Sequence, residues 1–371
     1  MSLHRMAKVS FSLGLITGLL ALLSCTVAVD ITDIFTVQPG GTNNGGCDDR
    51  PAVLDQWLSE AIESLDVALV AIDEYDQDPR VRRSMAAIFG ITNSGRLRGA
   101  RAMAVETVRN YIEHVGNFFN QKQENGVSLY NKAGFWLFCH STFLALHQPT
   151  DPAIDYQGND ISDQDGNPIR IMDVSIYQDK LGEDEDNKPW WSGELTNLNG
   201  YYFTETGSNY CYEDELGITA AIQPLVRGAN GQAQDADEVA SVILCPYSFD
   251  SSPNPDSYRD ANNLLAPGTN LAMAVPKSAT LIHEAFHSIH GTEFLAGAEE
   301  EYDIAECLNL ANSNPADARV NPENYVFFIA HMYHMRGEPD DDQPWSIQKQ
   351  WDFAFTRVGG SRIYGAVETA S

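Results

Sequence analysis

The chain has 371 residues, 43% of them hydrophobic and 10% aromatic, with 28 Gly and 17 Pro. That is apolar material enough for a sizeable core, and it excludes a disordered, collagenous or low-complexity protein. Asp and Glu number 52 against 23 Lys and Arg, for a formal net charge of −29; without a basic stripe, nucleic acid and anionic membrane surfaces are poor candidate partners.

His4, Arg5 and Lys8 precede an apolar run from Phe11 to Leu23, and Thr26-Val27-Ala28 follows it. Basic, then apolar, then small is the order of a cleavable secretory signal, and the run is shorter than the roughly 20 residues a membrane span needs. Residues 1–28 therefore read as a signal peptide, and the mature protein as secreted, extracellular and without a membrane partner. Leu22-Leu23-Ser24-Cys25 also resembles a bacterial lipoprotein cleavage box, which would anchor the chain at Cys25. Five cysteines remain beyond the signal: Cys47, Cys139, Cys211, Cys245 and Cys307. In an oxidising compartment they predict two disulfides and one leftover thiol, and their wide spacing speaks against a cysteine zinc ribbon.

Residues 29–50, rich in Gly and Asn, read as an extended leader or pro-segment, and 51–371 as a single domain. Leu54, Trp57, Leu58, Ala61, Leu65, Ala68, Leu69 and Ile72 recur at three- and four-residue steps and predict a helix over 53–72. A second helical pattern runs from Ala100 to Phe119. Between Asp151 and Pro189 the texture turns to Asp, Gly and Pro, an exposed acidic loop excursion. Its Asp163-Gln164-Asp165-Gly166 invites a calcium-loop reading, but EF-hand spacing would put a ligand at Ile161. Val239 to Cys245 predicts a strand, and a helix is expected from Lys277-Ser278 with Ser278 as its N-cap.

That helix carries His283-Glu284-Ala285-Phe286-His287. Two His four residues apart on a helix point the same way, so both imidazoles can reach one Zn2+ ion. Glu284 lies one step round, placed to take a proton from water at the metal without being a ligand. A catalytic zinc needs a third protein ligand, and spacing leaves Glu293, the run Glu299-Glu300-Glu301 and Glu306 all open. His331 and His334, three apart on an apolar helix, read as core or surface histidines.

The residues that follow resemble a known family, the aspzincins, which include fungal deuterolysins and peptidyl-Lys metalloendopeptidases. In that family HExxH precedes Gly-Thr-x-Asp-x-x-Tyr-Gly, with the Asp as third zinc ligand and the Tyr assisting the tetrahedral intermediate. Leu310-Ala311, Asn314-Pro315, Ala318 and Asn321-Pro322-Glu323-Asn324-Tyr325 stand here in the family's order. A gapless count back from them puts Tyr302 on the family's Tyr and Glu299 on its Asp, whereas the Gly297-Ala298 pair would select Glu300. The resemblance implies Cys211 paired with Cys245. It also implies a substrate pocket at Glu323, whose second acidic position in the Lys-specific branch is Val326 here.

The resemblance thus implies an α+β, zincin-like metallopeptidase fold, predominantly helical, with a small sheet beside the HExxH helix. It implies a zinc-dependent endopeptidase acting on protein or peptide substrates, and the chain is expected to be secreted and monomeric. One Zn2+ would sit on His283, His287 and Glu299, with Glu284 and Tyr302 catalytic and Glu323 contacting substrate. The competing expectation is a secreted non-enzymatic effector or binding protein on the same scaffold.

Overall fold

The computed structural model describes residues 29–368 apart from 95, 195, 197, 213, 230 and 295–299. The signal peptide read over residues 1–28 lies outside the described residues. Three helices, α1 (Pro51–Asp73), α2 (Pro79–Phe89) and α3 (Ala100–Phe119), open the scaffold. The apolar stripe of α1 is buried from Leu54 to Ile72, as its periodicity requires. Asp78 caps α2 by accepting from the Arg80 N–H, and Gly90 closes that helix at φ 64°, where a Cβ would collide with the Ala311 carbonyl.

A four-stranded mixed sheet stands beside these helices. It consists of β1 (Thr36–Val37), β2 (Phe135–Phe138), β3 (Gly217–Ile222) and β4 (Val239–Leu244) in the order β1-β2-β4-β3. β4 runs parallel to β2 and antiparallel to β3, so β3 forms one edge. The segment read as an extended leader is built into this sheet. Thr36 and Val37 pair with Trp136 and Leu137, Ile31, Ile34 and Phe35 are buried, and Cys47 is disulfide-bonded to Cys139.

The second disulfide joins Cys211 to Cys245, the pairing implied by the resemblance, and Cys307 is the buried free thiol. Two disulfides fit an oxidising compartment.

The acidic stretch from 151 to 189, read as an exposed loop excursion, is largely exposed and carries turns and a helix. Asp155 and Asp163 each accept backbone N–H groups two and four residues ahead, which makes two successive turns of the same form eight residues apart. Helix α4 (Ser175–Glu183) follows. Ala153, Ile161, Ile171, Val174, Tyr177, Trp191 and Tyr201 close a small apolar cluster beneath them. The Asp and Gly that read as loop supply the turns, and apolar residues spaced too widely for any helical or strand period supply the core.

Helix α5 (Ala279–His290) lies under β3 and β4. Beyond it come α6 (Ile304–Ser313) and α7 (Pro322–Arg336). Nearly every residue of α7 is buried, which makes it the central helix of the main core. His331 and His334 are core residues: His331 Nε2 meets Asp352 Oδ1 at 2.9 Å and His334 Nε2 meets the Ala274 carbonyl at 2.9 Å. A C-terminal hairpin, β5 (Trp351–Val358) and β6 (Ser361–Glu368), packs on α7 through that His331–Asp352 contact. No helix among the described residues is long and apolar enough to cross a membrane.

Candidate metal centre

Burial of Leu281, Ile282, Ala285 and Phe286 in the core fixes the rotation of α5 about its axis. His283 and His287 consequently face the same cleft, with ring centroids 5.1 Å apart. Ser278 precedes the helix as expected but does not cap it with its side chain. Its hydroxyl donates instead to Glu60 Oε2 at 2.7 Å, because the buried Glu60 carboxylate of α1 abuts the helix start and needs donors.

The third donor is Glu300. Its Oε1 lies 3.1 Å from His283 Nε2 and 3.4 Å from His287 Nε2. That oxygen makes no well-aligned hydrogen bond to either ring, and His287 Nδ1 is likewise buried without a partner. The three ligand atoms lie within 4.8 Å of one another, a grouping of metal-type donors found once among the described residues. Two imidazole nitrogens and a carboxylate oxygen that converge without satisfying one another fit a cation, and the donor set suits zinc.

Glu299, which the gapless count selected, lies outside the described residues, and its neighbour Glu300 takes the position beside the imidazoles. The connection leading to Glu300 has no helical or strand period, so periodicity could not choose among three consecutive Glu. A contact distant in sequence holds the backbone next to Glu300: Asn321 Oδ1 accepts from Glu301 N at 3.0 Å, and its Nδ2 donates to the Glu301 carbonyl at 2.9 Å. Glu306 is exposed in the first turn of α6, and the Glu293 side chain lies outside the described residues.

Glu284 is buried beside the pair. Thr219 on β3 donates its hydroxyl to Glu284 Oε2 at 2.8 Å and also approaches the Glu284 carbonyl at 3.0 Å. Glu284 Oε1 rests against Gly217, where a Cβ would stand 2.9 Å away, so the close approach of strand and carboxylate requires glycine. Burial raises the Glu284 pKa, opposed by the charges of His283 and His287 and by the Thr219 hydrogen bond.

Glu323, which the resemblance placed in a substrate pocket, lines the cavity and also touches a ligand imidazole. Its Oε2 lies 3.0 Å from His283 Nδ1, on the ring edge opposite Glu300, because the first turn of α7 packs against α5. Burial pulls the His283 pKa down, but Glu300, Glu323 and the charge of Glu284 outweigh it and hold the ring well above its ordinary value. Tyr302 lies along His283, ring centroids 5.8 Å apart at 19°, and donates its hydroxyl to Glu300 Oε2 at 2.8 Å. At 61% exposed it stands at the mouth of the cleft.

No family model matches the chain, and no curated protein matches it. Among solved structures the chain is similar to a zinc peptidase from Grifola frondosa, at 11% identity and a TM-score of 0.27, over 74% of this chain and 94% of that one. A likeness of that size leaves the geometry of the centre to stand by itself.

Sequence reasoning missed Thr219 and Gly217, which reach Glu284 from 65 and 67 positions away with no motif to mark them. Asn321 was visible in the sequence only as part of a resemblance; its role in holding Glu301 was not.

Proposed function

We propose that the protein is a secreted zinc-dependent endopeptidase with a zincin-like site. The observation that carries this reading is the convergence of His283, His287 and Glu300 on one point with the Glu284 carboxylate alongside. His283, His287 and Glu300 would hold the ion. Bound zinc would supply a Lewis acid for the scissile carbonyl and for water.

The chain's own residues do the rest. Glu284 accepts a proton from the attacking water and returns it to the leaving amine, and its raised pKa brings it nearer the range where it can do both. Thr219 fixes Oε2 and leaves Oε1 for that exchange. Tyr302 stands at the cleft mouth with its hydroxyl on Glu300, and a turn of that hydroxyl from Glu300 to the substrate oxygen would let it donate where negative charge develops. Glu323 keeps the His283 ring oriented. The free edge of β3 borders the same cleft and offers backbone groups to an extended peptide, which favours a polypeptide substrate. The two disulfides support secretion.

Cleavage-site mapping on a denatured proteome digest tests the reading, with zinc-loaded protein compared against Glu284→Gln. Cuts made by the parent and lost in a variant that still binds zinc would support it. Zinc binding without cuts from the parent would favour the non-enzymatic binding protein.

A further inference from the structure

The cavity that contains the metal centre measures about 750 Å3, much more than three ligands and an ion require. It continues from His283 toward the N-terminal end of α5, away from His287. Ala279, one turn before His283, forms one wall of this extension. Val326 and Phe327, one turn past Glu323 on α7, form another, and Ala272 and Val275 close it from the segment preceding α5.

Those five walls are apolar, and Asn254 and Thr280 are the neutral polar residues beside them. Among the described residues, no Lys or Arg lines the cavity. The carboxylates nearest this end already have partners: Glu323 is on His283, Glu300 faces both imidazoles, and Glu284 is held by Thr219. Asp214 and Glu215 also line the cavity and are exposed ahead of β3. An ammonium or guanidinium pushed between Val275, Val326 and Phe327 would lose its water and meet no carboxylate on those walls. A branched aliphatic or aromatic side chain would gain by leaving water.

We propose that this extension is the specificity subsite of the enzyme. It takes an aliphatic or aromatic substrate side chain next to the scissile bond, and Val326 sets the choice. The inference rests on the peptidase reading for the nature of its substrate.

The test uses two peptide hydroxamates that differ only in Leu versus Lys at the residue flanking the zinc-binding group, titrated calorimetrically into zinc-loaded protein. Cleavage mapping of the parent runs in parallel. The expected result is that the Leu compound binds at least tenfold tighter, the scale of discrimination an apolar pocket provides, and that cuts cluster beside Leu, Ile, Met or Phe. Val326→Asp should lower the Leu/Lys ratio tenfold or more. Ala279→Leu, which adds no charge to the core, should move the preference to Ala or Ser. Equal or tighter binding of the Lys compound to the parent, binding of neither, or an unchanged ratio in both variants would overturn the proposal. A Leu preference in binding without any proteolytic cuts would uphold the subsite and overturn the peptidase reading instead.

Discussion

Glu323 Oε2 and His283 Nδ1 are 3.0 Å apart, so the imidazole that faces Glu300 through Nε2 is held from behind through its other nitrogen. A carboxylate on the second nitrogen fixes the tautomer and raises ligand basicity. Glu323→Gln should therefore weaken zinc binding about 10- to 100-fold, read by competition with a chromogenic chelator. Unchanged affinity, with circular dichroism also unchanged, would show that Glu323 does not position the ligand.

Glu300 and Glu299 give a sharper contrast. Glu300→Ala removes the carboxylate oxygen 3.1 and 3.4 Å from the two imidazoles and should abolish stoichiometric zinc. Glu299→Ala should leave metal content at one ion per chain. Elemental analysis after dialysis decides, and the reverse pattern would restore the gapless register.

Glu60 predicts a pH dependence of stability that does not involve the metal. Burial pushes its pKa from an ordinary 4.5 up to about 7, against hydrogen bonds from Gln56 and Ser278 that favour the charged form. The folded state then holds a proton the unfolded state has released, so stability present below about pH 4.5 falls as pH rises toward 7. The total is about 3 kcal/mol, at 1.36 kcal/mol per pH unit. Urea unfolding of Glu60→Gln at pH 5 and pH 8 should show this slope removed. A variant with the parent's slope would place the titration elsewhere.

The Cys47–Cys139 bridge spans 92 residues and ties the N-terminal strand to the sheet. Replacing both cysteines by Ser should cost on the order of 4 kcal/mol, the chain-entropy expectation for a loop of that length. Equilibrium unfolding under non-reducing conditions measures it. A loss below about 1 kcal/mol would mean that the packing of Ile31, Ile34 and Phe35 already holds this segment.

The sequence by itself determined whatever depends on local periodicity and on spacing within one element. The apolar steps of Leu54 to Ile72 and the span Ala100 to Phe119 specified two helices, and the run Val239 to Cys245 a strand that forms over Val239–Leu244. The i, i+4 relation of His283 and His287 specified a shared direction, since a single helix turn enforces it. Only the tertiary structure decided relations between segments far apart in the chain. It brought Glu300 beside both imidazoles, tied the Glu301 backbone to Asn321, and gave Glu323 to His283 when α7 packed on α5. It also turned the Ser278 hydroxyl to Glu60 and brought Thr219 to Glu284 when the sheet edge met the helix. These contacts are fixed by the burial of whole faces against one another, and the energy of that burial is shared among many residues. No short pattern of letters encodes which polar side chains will then meet.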